Sequence, residues 1–366
     1  MLNGVEWGDF RIGDLFEKVK ANKLPFKADE LPKEKTGEYT LPCLTSSFNN
    51  QGLNYFVPRD GATILKDVIS IPSNSDVYRA YFQSNEFTVL SDSYAIKWIF
   101  SDIDLLPEQY LFLVQCINKV TDLDIYSYKN KLGGWNIVKD KKIQLPIKNG
   151  NIDFNFMSAF VSLINDNRMK ALDEYLKRCG LNDYNLTQDE CEALNKFNND
   201  DISWGEFKLS ELFNKIEQGR RLKKDDQVKG EIPFVMSGVT NSGVVNFISN
   251  PVSLFPENSI TVDIFGNVFY REYEFGAGDD TGVYWNDENE FSKENMLFLA
   301  ASMGCALKDK YDFGNKLRSS QSKGIKVNVV VKNNDLDSSY INNLISALQK
   351  QVIKDVVQYS ERNYRA

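Results

Sequence analysis

WGDFRIGDLF, at residues 7–16, and WGEFKLSELF, at residues 204–213, are two versions of the same segment, 204 − 7 = 197 residues apart. Every position except Gly13 against Ser210 keeps its chemical class, from the opening tryptophan to the closing phenylalanine. A match of this length indicates that one structural unit is present twice in the chain.

The correspondence continues in the same order along both halves, which separates a duplication from a single chance match. Four further pairs of segments match: 41–57 with 232–248, 78–82 with 270–275, 110–113 with 296–299, and 126–132 with 311–317. The second pair places Arg79 opposite Arg271. Residues 157–175 match 341–359 without a gap, at 341 − 157 = 184. We therefore predict a globular module followed by a helix, present twice.

Both modules mix strand and helix patterns. Segments rich in β-branched and aromatic residues alternate with Gly, Asn and Ser turns, which is typical of strands. Residues 107–119 and 292–308 are too apolar for an exposed helix, so we expect each to pack on a sheet. A chain of 366 residues can bury two such cores. The predicted fold class is α+β (mixed α/β), with two repeated globular modules, each followed by a helix.

The closing helices are predicted from apolar residues at three- and four-residue spacing over 155–178 and 339–359. Two arrangements are open. Each helix packs on its own module, or the two helices pair antiparallel and hold the modules apart with pseudo-two-fold symmetry. We favour the pair, because about 24 helical residues span roughly 36 Å, close to the ~34–36 Å of one turn of duplex DNA.

These patterns divide the chain into five parts. The predicted boundaries are 1–150 for the first module, 151–180 for the first spacer helix, 181–200 for an acidic linker, 201–333 for the second module and 334–366 for the second spacer helix. Within the linker, Thr187 and Glu190 have the spacing of a capping box and predict the start of a short helix.

The composition excludes several classes of protein. Because the chain has no histidine, it lacks His-based triads, a His general base and His-containing metal clusters. The five cysteines are never spaced as CxxC, which disfavours zinc or a disulfide framework, and Cys43, Cys116 and Cys305 are expected in the core. The apolar runs are shorter than the ~20 residues of a membrane span and no secretory signal is visible, so we expect a cytoplasmic protein without membrane contact.

The net charge of −8 does not favour DNA binding through long-range attraction. A DNA-binding role would therefore depend on local basic loops and on a partner that supplies positive charge.

Several repeated motifs resemble the specificity subunits of type I restriction-modification systems. They are the W-x-x-F opening, the PF-V-x-SG-x-x-x-x-G turn at 233–243, the Y-x-x-G-N-K segment at 311–316 and the closing helix. Residues 145–164 are more similar to the variant in type IIB systems and fused type IIG enzymes. The helices are shorter than those of type I subunits and lack their PPLxEQ segment, so the type of system is open.

The resemblance implies that each module is a target recognition domain that reads one half of a split DNA sequence. It also implies that the helices set the distance between the halves and dock adenine methyltransferase and endonuclease subunits. Double-stranded DNA and those subunits are the expected partners. We expect no catalytic residue and no cofactor in this chain, with S-adenosylmethionine and Mg²⁺ only in the partner subunits.

Phosphates are bound by Lys, Arg and amides, whereas base edges are read by side chains with paired donors and acceptors. The candidate DNA-contacting residues of the first module are Lys20, Lys23, Ser46, Ser47, Asn49, Asn74, Arg79, Lys129, Asn130 and Lys131. Those of the second module are Arg220, Arg221, Lys223, Lys224, Ser237, Thr240, Asn241, Asn267, Arg271, Asn315, Lys316 and Arg318. Any one of them can instead be a solvated loop residue or a turn former. Because the polar turns differ between modules, we predict two different half-sites and an asymmetric target.

The closing helices supply the candidate subunit interface. Its predicted residues are Met157, Val161, Ile164, Ile345, Leu348 and Val352.

Two other classes of function are open from the sequence. Aromatic-rich repeats with strands also occur in glycan- or surface-binding proteins of phages. A carboxylate-dependent hydrolase would use Asp279 and Asp280, which lie among glycines.

Overall fold

The computed structural model describes residues 4–73, 78–127, 129–288 and 291–364. The chain divides into two compact units, Met1–Ala171 and Leu172–Ala366. Both units contain sheets and helices of the same kind in the same order. The fold is therefore mixed α+β with two repeated domains, as the sequence predicts.

Unit 1 contains ten strands and begins four helices among its described residues. The strands are β1 Glu6–Arg11, β2 Phe16–Lys18, β3 Tyr39–Leu44, β4 Leu53–Pro58, β5 Val68–Pro72, β6 Tyr81–Gln83, β7 Thr88–Val89, β8 Ser93–Trp98, β9 Lys142–Lys148 and β10 Asn151–Ile152. The helices are α1 Ile12–Leu15, α2 Pro107–Thr121, α3 Trp135–Val138 and α4 Phe154–Arg178, of which the last continues into unit 2.

Unit 2 repeats this order. Its described strands are β11 Trp204–Lys208, β12 Lys215–Gln218, β13 Lys229–Val235, β14 Val244–Ile248, β15 Leu254–Phe255, β16 Ser259–Asp263, β17 Val268–Arg271, β18 Phe275–Ala277, β19 Thr281–Trp285, β20 Lys326–Lys332 and β21 Asp335–Leu336. Its helices are α5 Gln188–Asn198, α6 Leu209–Leu212, α7 Lys293–Leu307, α8 Ser319–Ser322 and α9 Ser338–Tyr364.

The strand orders of the two units match sheet by sheet. In unit 1 they are β1-β9-β10, β2-β8-β5-β6 and β4-β3-β7, and in unit 2 they are β11-β20-β21, β12-β19-β16-β17 and β14-β13-β18-β15. The extra strand β15 has a counterpart in unit 1, where Leu65 forms an isolated bridge with Phe87. The duplicated sequence therefore folds into duplicated topology.

The repeated WG-acidic-F segment forms the first strand of each unit, and the IGDL and LSEL segments form the short helices α1 and α6. Ile12, Leu15 and Phe16 are buried in the core of unit 1, in one apolar cluster with residues of β5, β8 and α2. Leu209, Leu212 and Phe213 do the same in unit 2. Each Å² of apolar surface removed from water stabilises the folded state by roughly 25 cal/mol, so burial of these side chains attaches the short helix to the core of its unit.

The register of the central sheets corrects one predicted correspondence. Ser259 pairs with Arg271 in β17, and the equivalent Val68 pairs with Gln83 in β6. Gln83, not Arg79, therefore occupies the place of Arg271. The sequence match was wrong because the YR pair recurs four residues earlier in the first module, before its strand begins.

The predicted capping box is present at the start of α5. The Thr187 amide donates to Glu190 Oε2 at 2.7 Å, and the Glu190 amide donates to Thr187 Oγ1 at 3.2 Å. The segment predicted as a linker thus contains a helix of 11 residues. This helix packs on α9 and closes a small apolar cluster that includes Leu194 and Leu344.

The cysteine prediction is correct for two positions. Cys43 and Cys116 are buried, whereas Cys305 is exposed on α7. Burial raises the pKa of the Cys43 thiol to about 12, so this side chain behaves as a small apolar residue. Within the described residues, no helix is both long and apolar enough to cross a membrane.

Candidate nucleic-acid interface

Each unit presents an exposed turn with the same uncommon backbone, at residues 46–52 and 237–243. In the 46–52 turn, Asn50 and Gln51 have φ of 46° and 55°. In the 237–243 turn, Asn241 and Ser242 have φ of 48° and 51°. Two consecutive non-glycine residues with positive φ are uncommon, and asparagine tolerates this conformation better than most residues.

The asparagine of each turn stabilises it by a local hydrogen bond. The side-chain amide of Asn50 donates to the Leu53 carbonyl at 2.6 Å, and that of Asn241 donates to the Val244 carbonyl at 3.3 Å. Because these amides are used inside the turn, Asn241 acts first as a turn former. The side-chain oxygen of Asn241 and the side chains next to it remain available to a ligand.

A glycine closes each turn because the chain passes close to the strand before it. Gly52 has φ of +88°, and a Cβ there would lie 2.7 Å from the Thr45 carbonyl oxygen. Gly243 has φ of +80°, and its Cβ would lie 2.7 Å from the Met236 carbonyl oxygen. Only glycine fits without a shift of the backbone. The repeated glycine therefore fixes the shape of the turn.

An aspartate anchors the base of each turn. The Ser46 amide donates to Asp92 Oδ2 at 2.9 Å, and the Ser237 amide donates to Asp280 Oδ2 at 3.0 Å. Ser237 also donates through Oγ to Asp263 at 3.2 Å. Asp280 has a structural role that its counterpart Asp92 shares, so the geometry gives no support to a hydrolase built on this residue.

The two turns share their backbone but not their exposed side chains. The 46–52 turn exposes Phe48, Asn49, Asn50 and Gln51, whereas the 237–243 turn exposes Val239, Thr240, Asn241 and Ser242. The first set has a longer amide and an aromatic ring, and the second has two hydroxyls and a branched aliphatic group. The same frame therefore carries two different chemical surfaces.

In unit 2, predicted DNA-contacting segments meet around residues 277–281. The Arg220 amide donates to the Ala277 carbonyl at 2.8 Å, which fixes the basic segment after β12 beside β18. The 237–243 turn is held to the same segment through Asp280. The side chains of Arg220, Arg221, Lys223 and Lys224 are exposed there. A basic loop and a polar turn thus share one edge of the unit.

The loop before α8 reaches the same segment. Arg318 donates from Nη1 to the Asp279 carbonyl at 2.5 Å. The Leu317 amide donates to the Ile264 carbonyl at 2.9 Å, so the loop is tied to the end of β16 as well. Lys316 lies 4.3 Å from the ring centroid of Phe313. Asn315 donates to the Lys310 carbonyl at 3.1 Å and shapes the loop.

Asn267 and Arg271 are used inside unit 2. Asn267 donates to Asp263 Oδ2 at 2.8 Å. Arg271 is only 2% exposed and donates to Thr261 Oγ1 at 3.0 Å and to the Ser242 carbonyl at 2.6 Å. Burial lowers the pKa of its guanidinium. In this structure Arg271 supports the 237–243 turn from below and does not reach the surface.

In unit 1, Arg79 lies next to the 46–52 turn. Its guanidinium carbon is 5.3 Å from the ring centroid of Phe48. Its Nε donates to Asp122 at 2.6 Å, and this hydrogen bond raises the pKa of Arg79. One edge of the Arg79 guanidinium is paired with Asp122, but the side chain is exposed and places positive charge beside the turn.

The remaining candidates of unit 1 lie in exposed loops. They are Lys20 and Lys23 after β2, and Lys129, Asn130 and Lys131 after α2. Asn130 donates to the Ile125 carbonyl at 2.7 Å, as Asn315 does in the equivalent loop of unit 2. Ser46 and Ser47 are half-buried, and Asn49 is exposed. Asn74 lies outside the described residues.

Sequence reasoning missed three exposed apolar side chains in these surfaces. Phe48 and Val239 occupy the same place in the two turns, and Phe313 is 82% exposed at the tip of its loop. Each interrupts a run of polar residues, and that interruption was the available signal. Apolar groups in grooves can contact thymine methyl groups or wedge between base steps, so these three residues are compatible with a DNA-contacting surface.

The six predicted interface residues on the closing helices have different surroundings. Met157 is in the core of unit 1, Val161 packs partly on that core, and Ile345 packs partly on the core of unit 2. Leu348 packs on the cluster under α5. Ile164 is 37% exposed and Val352 is 81% exposed. Ile164 and Val352 are therefore the more accessible members of the set.

Among the described residues, no group of three or more Cys, Asp and Glu side chains is placed to hold a metal ion. The acidic groups beside the 237–243 turn are occupied by backbone amides and by Ser237 and Asn267.

Comparisons with known proteins agree with this arrangement. A family model described as "Type I restriction modification DNA specificity domain" matches the chain twice, over residues 4–174 and 201–358. The chain is 24% identical over 327 residues to the "Type II restriction enzyme BgcI specificity subunit S.BcgI" of Heyndrickxia coagulans, covering 88% of both chains. Its fold is similar to that of the type I restriction-modification system S subunit from M. genitalium, with a TM-score of 0.65 and 14% identity. That similarity covers 99% of this chain and 93% of the other.

The family model accounts for both repeated units and for most of the length of the chain. It does not favour a glycan-binding protein. The chain belongs to the type I restriction-modification DNA specificity domain family and carries the domain twice.

Proposed function

We propose that this specificity subunit reads a bipartite, asymmetric DNA sequence and positions adenine methyltransferase and endonuclease subunits on it without catalysing a reaction itself. Each unit reads one half of the site. The chain thus supplies sequence recognition, and its partners supply the chemistry.

The observation that carries this proposal is the pair of turns. The backbone of the 46–52 turn matches that of the 237–243 turn, and an aspartate anchors both in the same way. Their exposed side chains differ. Since base edges are distinguished by the donors, acceptors and apolar groups that face them, two frames of one shape with different side chains would read two different half-sites.

Basic residues around the turns would bind the backbone phosphates. Arg220 and Arg318 hydrogen-bond to the segment that holds the 237–243 turn, and Arg79 contacts Phe48 of the 46–52 turn. Phosphate contacts fix the register of a protein on DNA, so cations placed beside a base-reading turn would set which base pairs it faces.

The helices α4 and α9 have 25 and 27 residues, about 38 and 40 Å at 1.5 Å per residue. We propose that they set the spacing between the half-sites. Their antiparallel pairing belongs to this proposal.

The similar proteins are named as the specificity subunit of a type II restriction enzyme and as the S subunit of a type I restriction-modification system. By analogy, the partners of this chain are methyltransferase and endonuclease subunits in the cytoplasm, where the DNA is. S-adenosylmethionine and Mg²⁺ would be bound by those subunits. The sequence relative is from a type II enzyme and the similar structure is from a type I system, so the type of system stays open.

The decisive experiment maps methylated adenines. The chain is expressed with the adenine methyltransferase subunit of its own system, and the modified sites are sequenced. Residues 204–333 are then replaced by the same segment of a relative with another target. We expect one half of the recognised sequence to change while the other half and the spacing stay the same.

The matched control replaces residues 7–150, which should change the opposite half only. The proposal is wrong if either exchange leaves the methylated sequence unaltered, or if one exchange alters both halves.

A further inference from the structure

A buried cation lies under the 237–243 turn of unit 2. It is the side chain of Arg271, the last residue of β17. The guanidinium of arginine stays charged in proteins. Among the described residues, no carboxylate forms an ion pair with it. A buried charge without a counter-ion is unfavourable, so Arg271 is held in place by hydrogen bonds and packing alone.

The central sheet of unit 2 holds one side of this guanidinium. Nε of Arg271 donates to Thr261 Oγ1 at 3.0 Å, in the neighbouring strand β16. The ring centroids of Phe269 and Phe275 lie 5.3 and 6.0 Å from the guanidinium carbon. An aromatic ring attracts a cation that lies over its face. The planar group is therefore fixed in its position relative to the sheet.

The other side of the guanidinium holds the turn. Nη2 of Arg271 donates to the Ser242 carbonyl at 2.6 Å. Ser242 has φ of 51°, a left-handed conformation that a residue other than glycine keeps only where its surroundings enforce it. A hydrogen bond from a charged donor is roughly twice as strong as one between neutral groups. This bond therefore enforces the conformation of Ser242 and ties the turn to the sheet.

The equivalent position of unit 1 has a different role. Gln83 stands at the place of Arg271 and donates to Ser70 Oγ at 3.1 Å, inside the sheet. Glutamine is shorter than arginine and carries no charge. Among the described residues, Gln83 makes no hydrogen bond to the 46–52 turn. The two units therefore share the shape of the turn but not the group beneath it.

Local hydrogen bonds explain how the 46–52 turn keeps its shape without a buried cation. The side-chain amide of Asn50 donates at 2.6 Å, whereas that of Asn241 donates at 3.3 Å. Thr45 adds a long bond from its hydroxyl to the Gly52 carbonyl at 3.4 Å, and the equivalent Met236 has no hydroxyl. The 237–243 turn thus has weaker support within the loop, and Arg271 supplies support from the sheet.

We propose that Arg271 is a positioning residue for the half of the DNA site that unit 2 reads. It holds the Ser242 carbonyl and thereby orients the exposed side chains of Thr240 and Asn241 toward base edges, without contacting DNA itself. This inference rests on the proposed function, in which the 237–243 turn reads bases. Because Gln83 is bonded within its sheet, the effect is confined to one half-site.

The test compares methylation of different duplexes by the chain in complex with its methyltransferase subunit. Here kcat/KM is measured on the mapped site and on duplexes with one base pair changed in either half. Arg271→Gln copies the residue of unit 1 and removes the bond to the turn. Discrimination against changes in the half assigned to unit 2 should fall roughly tenfold, since a well-placed base contact contributes about that factor. Discrimination in the other half should stay unchanged.

Three further variants serve as controls. Arg271→Lys keeps the charge and should recover part of the discrimination. Gln83→Met, at the equivalent buried position of unit 1, should leave discrimination in both halves unchanged. Arg220→Ala removes an exposed cation and should weaken binding to every duplex alike, with a smaller salt slope. Arg271→Gln should keep the wild-type salt slope, because a buried guanidinium neutralises no phosphate.

Hydrogen exchange of the chain without DNA gives a readout that does not depend on activity. In Arg271→Gln, amides of residues 239–243 should exchange faster than in the wild type, whereas those of 48–52 should not change. Circular dichroism checks that the variant is folded. If Arg271→Gln does not fold, Arg271→Lys and Tyr273→Phe replace it in both measurements, with a smaller loss expected in the same half. Tyr273→Phe removes a hydroxyl that accepts from Arg271 at 3.4 Å.

Unchanged discrimination in Arg271→Gln, or an equal loss in both halves, overturns the inference and leaves Arg271 with a role in the core only. A smaller salt slope in this variant also overturns it, because Arg271 would then contact a phosphate. In each case the proposed function stands if exchange of residues 204–333 still changes one half of the target. A wild-type complex that methylates no bipartite sequence overturns both.

Discussion

Phe313 is the most exposed aromatic side chain among those beside the predicted DNA-contacting residues. Its ring stacks on Phe265 at 6.1 Å between centroids, and Lys316 lies over its face. A large apolar ring held in water by its own loop has no role in the core of unit 2. It lies in the same loop as Arg318, which hydrogen-bonds to the Asp279 carbonyl, and we expect this loop to face a bound duplex.

Phe313→Ala should therefore weaken specific DNA binding of the assembled complex. We expect roughly a tenfold loss, because an aromatic contact to bases contributes about 1 to 3 kcal/mol. Fluorescence anisotropy with a duplex that carries the mapped site measures the effect. Phe313→Leu keeps apolar volume and should retain part of the affinity. An unchanged affinity in Phe313→Ala would remove this residue from the interface.

Arg79 and Arg271 show where reading a sequence residue by residue fails. Both follow a tyrosine in matching segments, yet one is exposed at a loop and the other is buried in β17. The residue equivalent to Arg271 is Gln83, which donates to Ser70 Oγ at 3.1 Å, as Arg271 donates to Thr261. Strand register decides burial, and a register is set by pairing with other strands that a local match does not contain.

At the scale of elements, α5 packs on α9 through apolar side chains and through the carboxylate of Glu190. Burial of Glu190 favours its neutral form, but hydrogen bonds from Ser346 and the Thr187 amide, with Lys350, outweigh burial and lower its pKa. A carboxylate whose pKa is lower in the folded state stabilises the protein above its unfolded pKa, about 4.3 for glutamate. That stabilisation is lost as the pH falls through the folded value.

We expect the amides of α5 to exchange faster in Glu190→Gln than in the wild type at pH 7, by the equivalent of about 1 kcal/mol. The difference between the two proteins should shrink as the pH falls below about 4, because the wild-type carboxylate becomes protonated. Hydrogen exchange followed by mass spectrometry measures it. Glu192→Gln, an exposed position on the same helix, is the control. A difference that is independent of pH would show that the charge of Glu190 is not what holds α5.

The sequence predicted long elements well and short ones poorly. The helices predicted over 155–178 and 339–359 are observed as α4 and α9 with similar bounds. Residues 215–231 are rich in Lys and Glu, which favours a surface loop, yet this stretch begins with β12 and ends in β13. A long helix repeats its apolar pattern over many residues, so the sequence alone shows it. A strand of four residues is too short for such a pattern and is stabilised by its neighbours in the sheet.

At the scale of the whole molecule, the net charge of −8 limits what the chain can do alone. The basic loops are local, and an acidic background opposes their attraction for a polyanion. We expect the isolated chain to bind duplex DNA weakly and the assembled complex to bind it with a steeper dependence on salt. Each additional phosphate that is neutralised adds about −0.9 to the slope of log K against log salt.

Titrations of chain and complex from about 50 to 200 mM salt test this, a range over which phosphate contacts change affinity strongly. Arg220→Ala should reduce the magnitude of the slope by about 0.9 in the complex. Equal slopes for the isolated chain and the complex would contradict the idea that partners supply positive charge.

The sequence by itself determined that the chain is duplicated, that each copy mixes strands and helices, and that long helices close both copies. Those properties follow from the order of the repeated segments and from the spacing of apolar residues, both of which can be read directly from the sequence. The tertiary structure alone decided which arginine is buried and that α5 packs on one face of α9. These depend on which segments meet in space, and residues far apart in sequence, such as Glu190 and Lys350, supply the contacts that select them.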